Sequence, residues 1–245
     1  MPQYIVGLDL GQVSDFTALA VLQISPLIGQ GHYVRDQEDR ILNIYNCVHL
    51  LRYPLGTSYP AIVTDVAGLT RAPELKPARG DSLPLAIDRT GVGGPVLDLF
   101  RREETPAEVV GVTITPGSGS RWEDRQKSAF VSKIELVGTV QALLQTSRLK
   151  IVSTLKHAEL LKAELLNFQV KITPAANETF GTWREGQHDD LVLAVAMAAW
   201  LGEHQVAQAV VATSRRFSTP ASRDRPTRLR HWAARSVQQT LRLYR

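Results

Sequence analysis

The chain has a single cysteine, Cys47, among 245 residues, which excludes an internal disulfide framework and any cysteine-rich metal site. It lacks a basic amino-terminal stretch followed by an apolar one, and no run of roughly eighteen uncharged apolar residues occurs anywhere. A chain that is neither secreted by that route nor membrane-spanning is the expectation, and a reducing cytoplasm is its natural setting. There is no internal repeat, no low-complexity segment and no G-x-x-x-x-G-K-[ST] phosphate loop. Gly91, Gly93 and Gly94 do not form G-x-G-x-x-G, so they suit a tight strand-to-helix turn better than a dinucleotide site.

Charge is present but unevenly placed. The net charge is +4, yet residues 214–245 hold nine Arg and one Asp, a net of +8, which leaves residues 1–213 at −4. This divides the chain into a globular region, 1–212, and an Arg-rich tail, 213–245. Pro226 can open a helix in the tail, where Leu229, Trp232, Ala233, Val237, Leu241 and Tyr244 recur at helical spacing. Arg228, Arg230, Arg235 and Arg242 accompany that stripe, so the helix docks on its own core, on a partner, or on the phosphates of DNA. The last of these suits an acidic globular region that has to retain a polyanion.

The globular region opens with two apolar runs, Tyr4 to Leu10 and Ala18 to Ile24, separated by a polar turn, which predicts a hairpin. A third strand is expected at Ile41 to Leu50, and Ser58 to Leu69 has helical spacing with Pro60 in its first turn. Leu83 to Asp88 is a short strand that ends on an acid and leads through a glycine turn into a helix ending near Arg102. Val109 to Thr115 is another strand, Pro116 to Arg125 a Gly/Ser-rich loop, and Lys127 to Thr146 a long helix with Ile134, Val137, Leu143 and Leu144 inward. A short strand at Leu149 to Val152 and a helix at His157 to Leu166 follow. Phe168 to Arg184 is irregular or hairpin-like. Asp189 then opens a helix, Leu191 to Trp200, that is apolar on nearly every side and so belongs inside the fold. This order predicts an α/β fold, a mixed central sheet flanked by helices.

Acids stand where apolar elements end or begin: Asp9 in the first strand, Asp88 at the end of a later one, Asp189 and Asp190 at the start of the last core helix. A charge in an apolar strand is costly unless it is paired or metal-bound. Hard divalent cations prefer carboxylate oxygens, and phosphodiester cleavage can use two such ions, so carboxylates from separate elements meeting at one sheet edge would supply a cage. The same acids also suit simpler duties, since an Asp at a strand end caps a turn and an Asp pair at a helix start satisfies free amides. Asp9 fits that account least, because Ile5, Val6, Leu8 and Leu10 surround it.

Gly7-Leu8-Asp9-Leu10-Gly11 followed by Asp15-Phe16-Thr17-Ala18 resembles the first nuclease motif of phage terminase large subunits. Ala86-Ile87-Asp88 with Thr90-Gly91-Val92-Gly93 is similar to the second, and His188-Asp189-Asp190-Leu191-Val192-Leu193-Ala194 to the third. Two intervening stretches, Lys133 to Val137 and Leu143 to Leu149, resemble prophage terminase-like proteins. The resemblance spans about residues 3–203. It implies an RNase H-like nuclease that cuts double-stranded DNA with magnesium or manganese, in two-metal fashion, in the cytoplasm of a bacterial host. It further implies Asp9, Asp88 and one or both of Asp189 and Asp190 as metal ligands, converging in one cage, with Asp15 an auxiliary ligand or a plain turn residue. Because these residues contain no phosphate loop, the chain is not expected to pump DNA alone, and a separate packaging ATPase or portal component is the implied partner.

Around these motifs, Arg121, Trp122, Arg125 and Lys127 combine positive charge with an aromatic on a loop, which suits either phosphate and base contacts or an ordinary solvated surface. Lys133 reads as a surface residue and His188 as a helix cap. Trp183, Trp200 and Cys47 read as packing residues. Two other functions fit the same fold class. Asp9-Leu10-Gly11 also resembles the first phosphate loop of actin-like and sugar-kinase ATPases, although residues 140–200 offer no further glycine-rich loop. A nuclease domain that has lost activity and serves as a DNA-binding packaging module is the other.

Overall fold

A computed structural model describes residues 3–11, 15–27, 42–77, 82–91, 93–103, 105–123, 127–167 and 188–217, with 206–217 described as helix backbone. The chain forms two compact units, Met1–Glu203 and His204–Arg245. The first holds a mixed sheet. Its hairpin pairs β1 (Gln3–Asp9) with β2 (Ala18–Leu27), and β3 (Leu42–Arg52) continues the antiparallel meander. On the other side of β1 lie β4 (Leu83–Asp88) and β5 (Ala107–Thr115), both parallel to it. With β6 (Ser120–Glu123), β7 (Ser128–Ser132) and β8 (Leu149–Ile151) the order is β6-β7-β5-β4-β1-β2-β3-β8.

Side chains alternate across a strand, and here the alternation sorts the helices. Val6, Leu8 and Leu10 of the β1 segment pack on one face with α1 (Tyr59–Thr70) and α2 (Gly93–Arg102). Ile5 lies on the other face, with α3 (Lys133–Gln145), α4 (Ala158–Asn167) and α5 (Asp190–Phe217). The α1 helix starts as its sequence requires: Ser58 caps it by accepting the Ala61 amide, and Pro60 sits in the first turn, where its missing N–H costs no bond. From Leu191 to Leu201 every residue of α5 is buried. The helix can lie this deep because β1 offers Gly7 beneath it; a Cβ there would collide with the Ala194 carbonyl oxygen.

Two expectations change. Residues 120–123 are a strand rather than loop, and the long helix expected from Lys127 is a strand, β7, followed by a helix beginning at Lys133. The apolar run Ala129-Phe130-Val131 is extended because it pairs parallel with β5 on one side and antiparallel with β6 on the other. A local signal did mark the break: Ser132 and Glu135 have the spacing of a capping box, and Ser132 accepts the Glu135 amide at 3.2 Å. This moves the buried face of α3 to Leu136, Val140 and Leu143, and leaves Leu144 39% exposed. The segment 168–187, expected to be irregular, lies outside the described residues. Position 212, where composition divides the chain, falls within α5. Among the described residues no helix is long and apolar enough to cross a membrane.

Candidate active site

The parallel register that places Leu8 beside Ile87 brings the last residues of β1 and β4, Asp9 and Asp88, side by side on the α5 face of the sheet. Both are buried, and each carboxyl bears on the charge state of the other. Burial, then the charge on Asp88, then Asp189 and Asp190, push the Asp9 carboxyl well above its ordinary range. Burial also raises Asp88, opposed by its bonds to Thr90, whose backbone amide donates to Oδ1 at 2.7 Å.

The other acids come from the amino-terminal end of α5. Lys133 Nζ lies 2.6 Å from Asp189 Oδ2, and Arg52 Nη2 lies 2.9 Å from Asp190 Oδ1. Asp190 Oδ2 is buried with no hydrogen-bond partner. Arg52 is held from its other side by Phe16, whose ring centroid is 3.7 Å from the guanidinium carbon, and the His188 ring meets Phe16 edge-on at 4.9 Å. Beneath the acid pair, Glu164 of α4 accepts the Leu191 and Val192 amides on one oxygen at 3.0 and 3.1 Å. Burial first, and then the charge on Asp190, push the Glu164 carboxyl up to about 8.

Four aspartates and a glutamate thus gather at one end of the sheet, two of them, Asp189 and Asp190, bonded to the cations Lys133 and Arg52. They do not stand as a finished cage: among the described residues no three Asp, Glu, His or Cys side chains are grouped closely enough to hold one metal ion. Instead, Asp9 and Asp88 stand side by side at the ends of their strands, and Asp189 and Asp190 are each drawn to a cation. Mutual repulsion between carboxylates accounts for that spacing.

The simpler account of Asp189 and Asp190, that they satisfy the free amides of their own helix, loses ground here, because Glu164 takes the amides of Leu191 and Val192. Asp15 is exposed on the bend before β2. Arg121 lies over the Phe130 ring and pairs with Glu123, and Lys127 pairs with Glu108. Trp122 stacks on Trp200 with centroids 6.4 Å apart, so its ring is engaged in packing. Arg125, Trp183, Arg228, Arg230, Arg235 and Arg242 lie outside the described residues. Cys47 is buried, and burial pushes its thiol up to about 12, as suits an inert core residue. Sequence reasoning passed over Arg52 and Glu164 and took Lys133 for a surface residue. For Glu164 the signal available was a charge on the stripe Ala158, Leu161, Glu164 of an amphipathic helix.

No protein-family model matches the chain, and no curated protein is similar to it. Among solved structures it is similar to the large terminase nuclease of the thermophilic phage G20c, at 18% identity over 80% of this chain and 81% of that one, with a TM-score of 0.50. The fold is RNase H-like, that of a terminase nuclease domain. Weaker likenesses are to the human cytomegalovirus terminase nuclease domain soaked with Mn, at 13% identity, covering 82% of this chain and 83% of that one with a TM-score of 0.47. For the large terminase nuclease domain of bacteriophage SPP1 the values are 12%, 80%, 84% and 0.44. At such identities the first likeness speaks for the fold, and the chemistry has to be argued from the residues.

Proposed function

We propose that this chain is a metal-dependent endonuclease that cuts double-stranded DNA, with Asp9, Asp88 and the Asp189/Asp190 pair as the ligands of magnesium or manganese. The observation that carries the reading is the surplus of buried carboxyl groups where β1, β4 and α5 meet. The donor set suits a hard divalent cation: every candidate ligand is an oxygen, Asp190 keeps one buried oxygen without a partner, and the groups that weigh most on Asp9 are themselves acids. A pair of such ions, when bound, activates water and stabilises the leaving oxygen of a phosphodiester.

The chain's own residues perform the rest. Asp9 and Asp88, both raised above the ordinary carboxylate range by burial, would hold the ions as deprotonated carboxylates. Lys133 and Arg52 hold Asp189 and Asp190 and offset part of their charge, and Phe16 fixes the Arg52 guanidinium in plane. The resemblance of all three acid motifs to terminase large subunits, together with the fold, supports a role in phage DNA packaging or processing, in the host cytoplasm and beside a separate packaging ATPase or portal component.

Incubation of supercoiled plasmid with the parent protein and magnesium or manganese should give nicked and linear DNA, and EDTA should stop it. Asp88→Ala should lower the rate by roughly a thousandfold or more. Cleavage that survives either EDTA or the substitution sinks the proposal. ATP binding with no cleavage would favour the kinase-like alternative, and DNA binding without cleavage the packaging module.

A further inference from the structure

The residue that precedes a helix ordinarily turns its side chain back to accept the second or third amide. In α5 that place belongs to Asp189, whose carbonyl accepts the Leu193 amide at 2.9 Å. Its carboxylate, however, is bonded to Lys133. The amides of Leu191 and Val192 are satisfied from another helix, by Glu164 Oε2, across 27 and 28 positions of sequence. Glu164 is 6% exposed and stands in line with buried Ala158 and Leu161, a place where an apolar side chain would suit the core. A carboxyl buried there is costly unless bonded, and these two amides are its bonds.

We propose that Glu164 is a positioning residue of the acid site: by capping α5 from α4 it releases the Asp189 carboxylate from that duty, so that Asp189 and Asp190 face Lys133, Arg52 and the Asp9/Asp88 pair. The inference rests on the reading of this cluster as a metal centre. Without the Glu164 acceptor, two buried amides are left bare, and the nearest group suited to cap them is the Asp189 side chain, a favoured N-cap. It turns back on its own helix and leaves the site. A glutamine at 164 keeps the acceptor oxygen and with it the arrangement.

The test uses the full chain and the metal alone. Free Mn2+ is measured by electron paramagnetic resonance while parent, Glu164→Gln, Glu164→Ala and Glu164→Met are titrated, each well below its melting temperature. Glu164→Met fills the space without offering a comparable acceptor, so a cavity is not confused with a lost cap. Glu164→Gln should bind within about twofold of the parent, and the Ala and Met variants about tenfold or more weaker. Amide exchange at Leu191 and Val192 should stay slow in the Gln variant and quicken in the other two. A merely structural role lowers the melting temperature of the Ala and Met variants and leaves the Mn2+ affinity of the folded protein unchanged; that result overturns the inference. So does a Gln variant as weak as Ala, which would make Glu164 itself a ligand. A parent that binds no Mn2+ overturns the metal-centre reading instead, and does so before any variant is compared.

Discussion

Two acidic places on α5, about 20 Å apart along the helix, differ in how completely their charge is answered. At Glu203 the charge is fully answered: Arg148 donates to both carboxylate oxygens, at 2.6 and 3.0 Å, and the Tyr45 hydroxyl donates to one of them at 2.7 Å. Burial and the Glu203 charge raise the Tyr45 hydroxyl above its ordinary value, so it remains a donor. At Asp190 the charge is answered on one oxygen only, and Asp9, Asp88, Asp189 and Glu164 crowd the same space. A satisfied ion pair holds secondary structure in place, whereas a surplus of one sign, maintained in a buried setting, calls for something outside the chain.

The largest effect should come from breaking the contact that serves both places. Gly7→Ala drives a methyl into the Ala194 carbonyl and lifts α5 from β1, so a loss of about 3 kcal/mol or more is expected. Chemical denaturation measures it, and a loss under about 1 kcal/mol would mean that α5 adjusts and the close approach is dispensable.

Removing one charge at each place sharpens the contrast. Arg148→Ala strands Glu203 and should cost about 2 to 3 kcal/mol. Asp9→Asn removes a charge from a crowd of like charges, and in EDTA it should leave stability unchanged or raise it by up to about 1 kcal/mol. If the metal-free Asp9→Asn protein were the less stable of the two, the acid cluster would be a structural network after all.

The smallest effect is graded with pH. Glu164 is pushed up to about 8 and Asp9, Asp88 and Asp190 are all raised, so between the unfolded values near 4 and about 8 the folded state binds more protons than the unfolded one. The stability these groups contribute in EDTA is therefore fullest below about 4 and is lost as pH rises toward about 8. Thermal unfolding from pH 5 to 8.5 should show a falling melting temperature that added Mn2+ restores. A melting temperature that climbs over that range would contradict the crowding of acids.

The two places on α5 were legible to different degrees. Asp9, Asp88 and the Asp189/Asp190 pair could be found because each interrupts an apolar element at its boundary, and boundaries are where periodicity is easiest to read. Arg52 and Arg148 could not, since nothing local to them differs from a charged residue on any amphipathic helix or strand end; their partners are 138 and 55 positions away. Glu164 left only the mark of a charge on a buried helical stripe, with its partner 27 positions away. The strands β6 and β7 escaped for a similar reason. Local composition around residues 120–132 is compatible with loop, helix or strand, and pairing decides between them, β7 with β5 and β6 with β7.

By itself the sequence determined the alternation of strands and helices, the hairpin that starts the sheet, the depth of α5 and the acids at the element ends, because all of these follow from short-range period and from the cost of burying charge. The tertiary structure alone decided which face of β1 and β4 receives α5, that Gly7 permits the approach, that Lys133 and Arg52 answer two of the acids, and that a glutamate from α4 caps α5. Those are matters of which groups come within about 3 Å of each other after the chain has folded, and no local pattern encodes a distance of that kind.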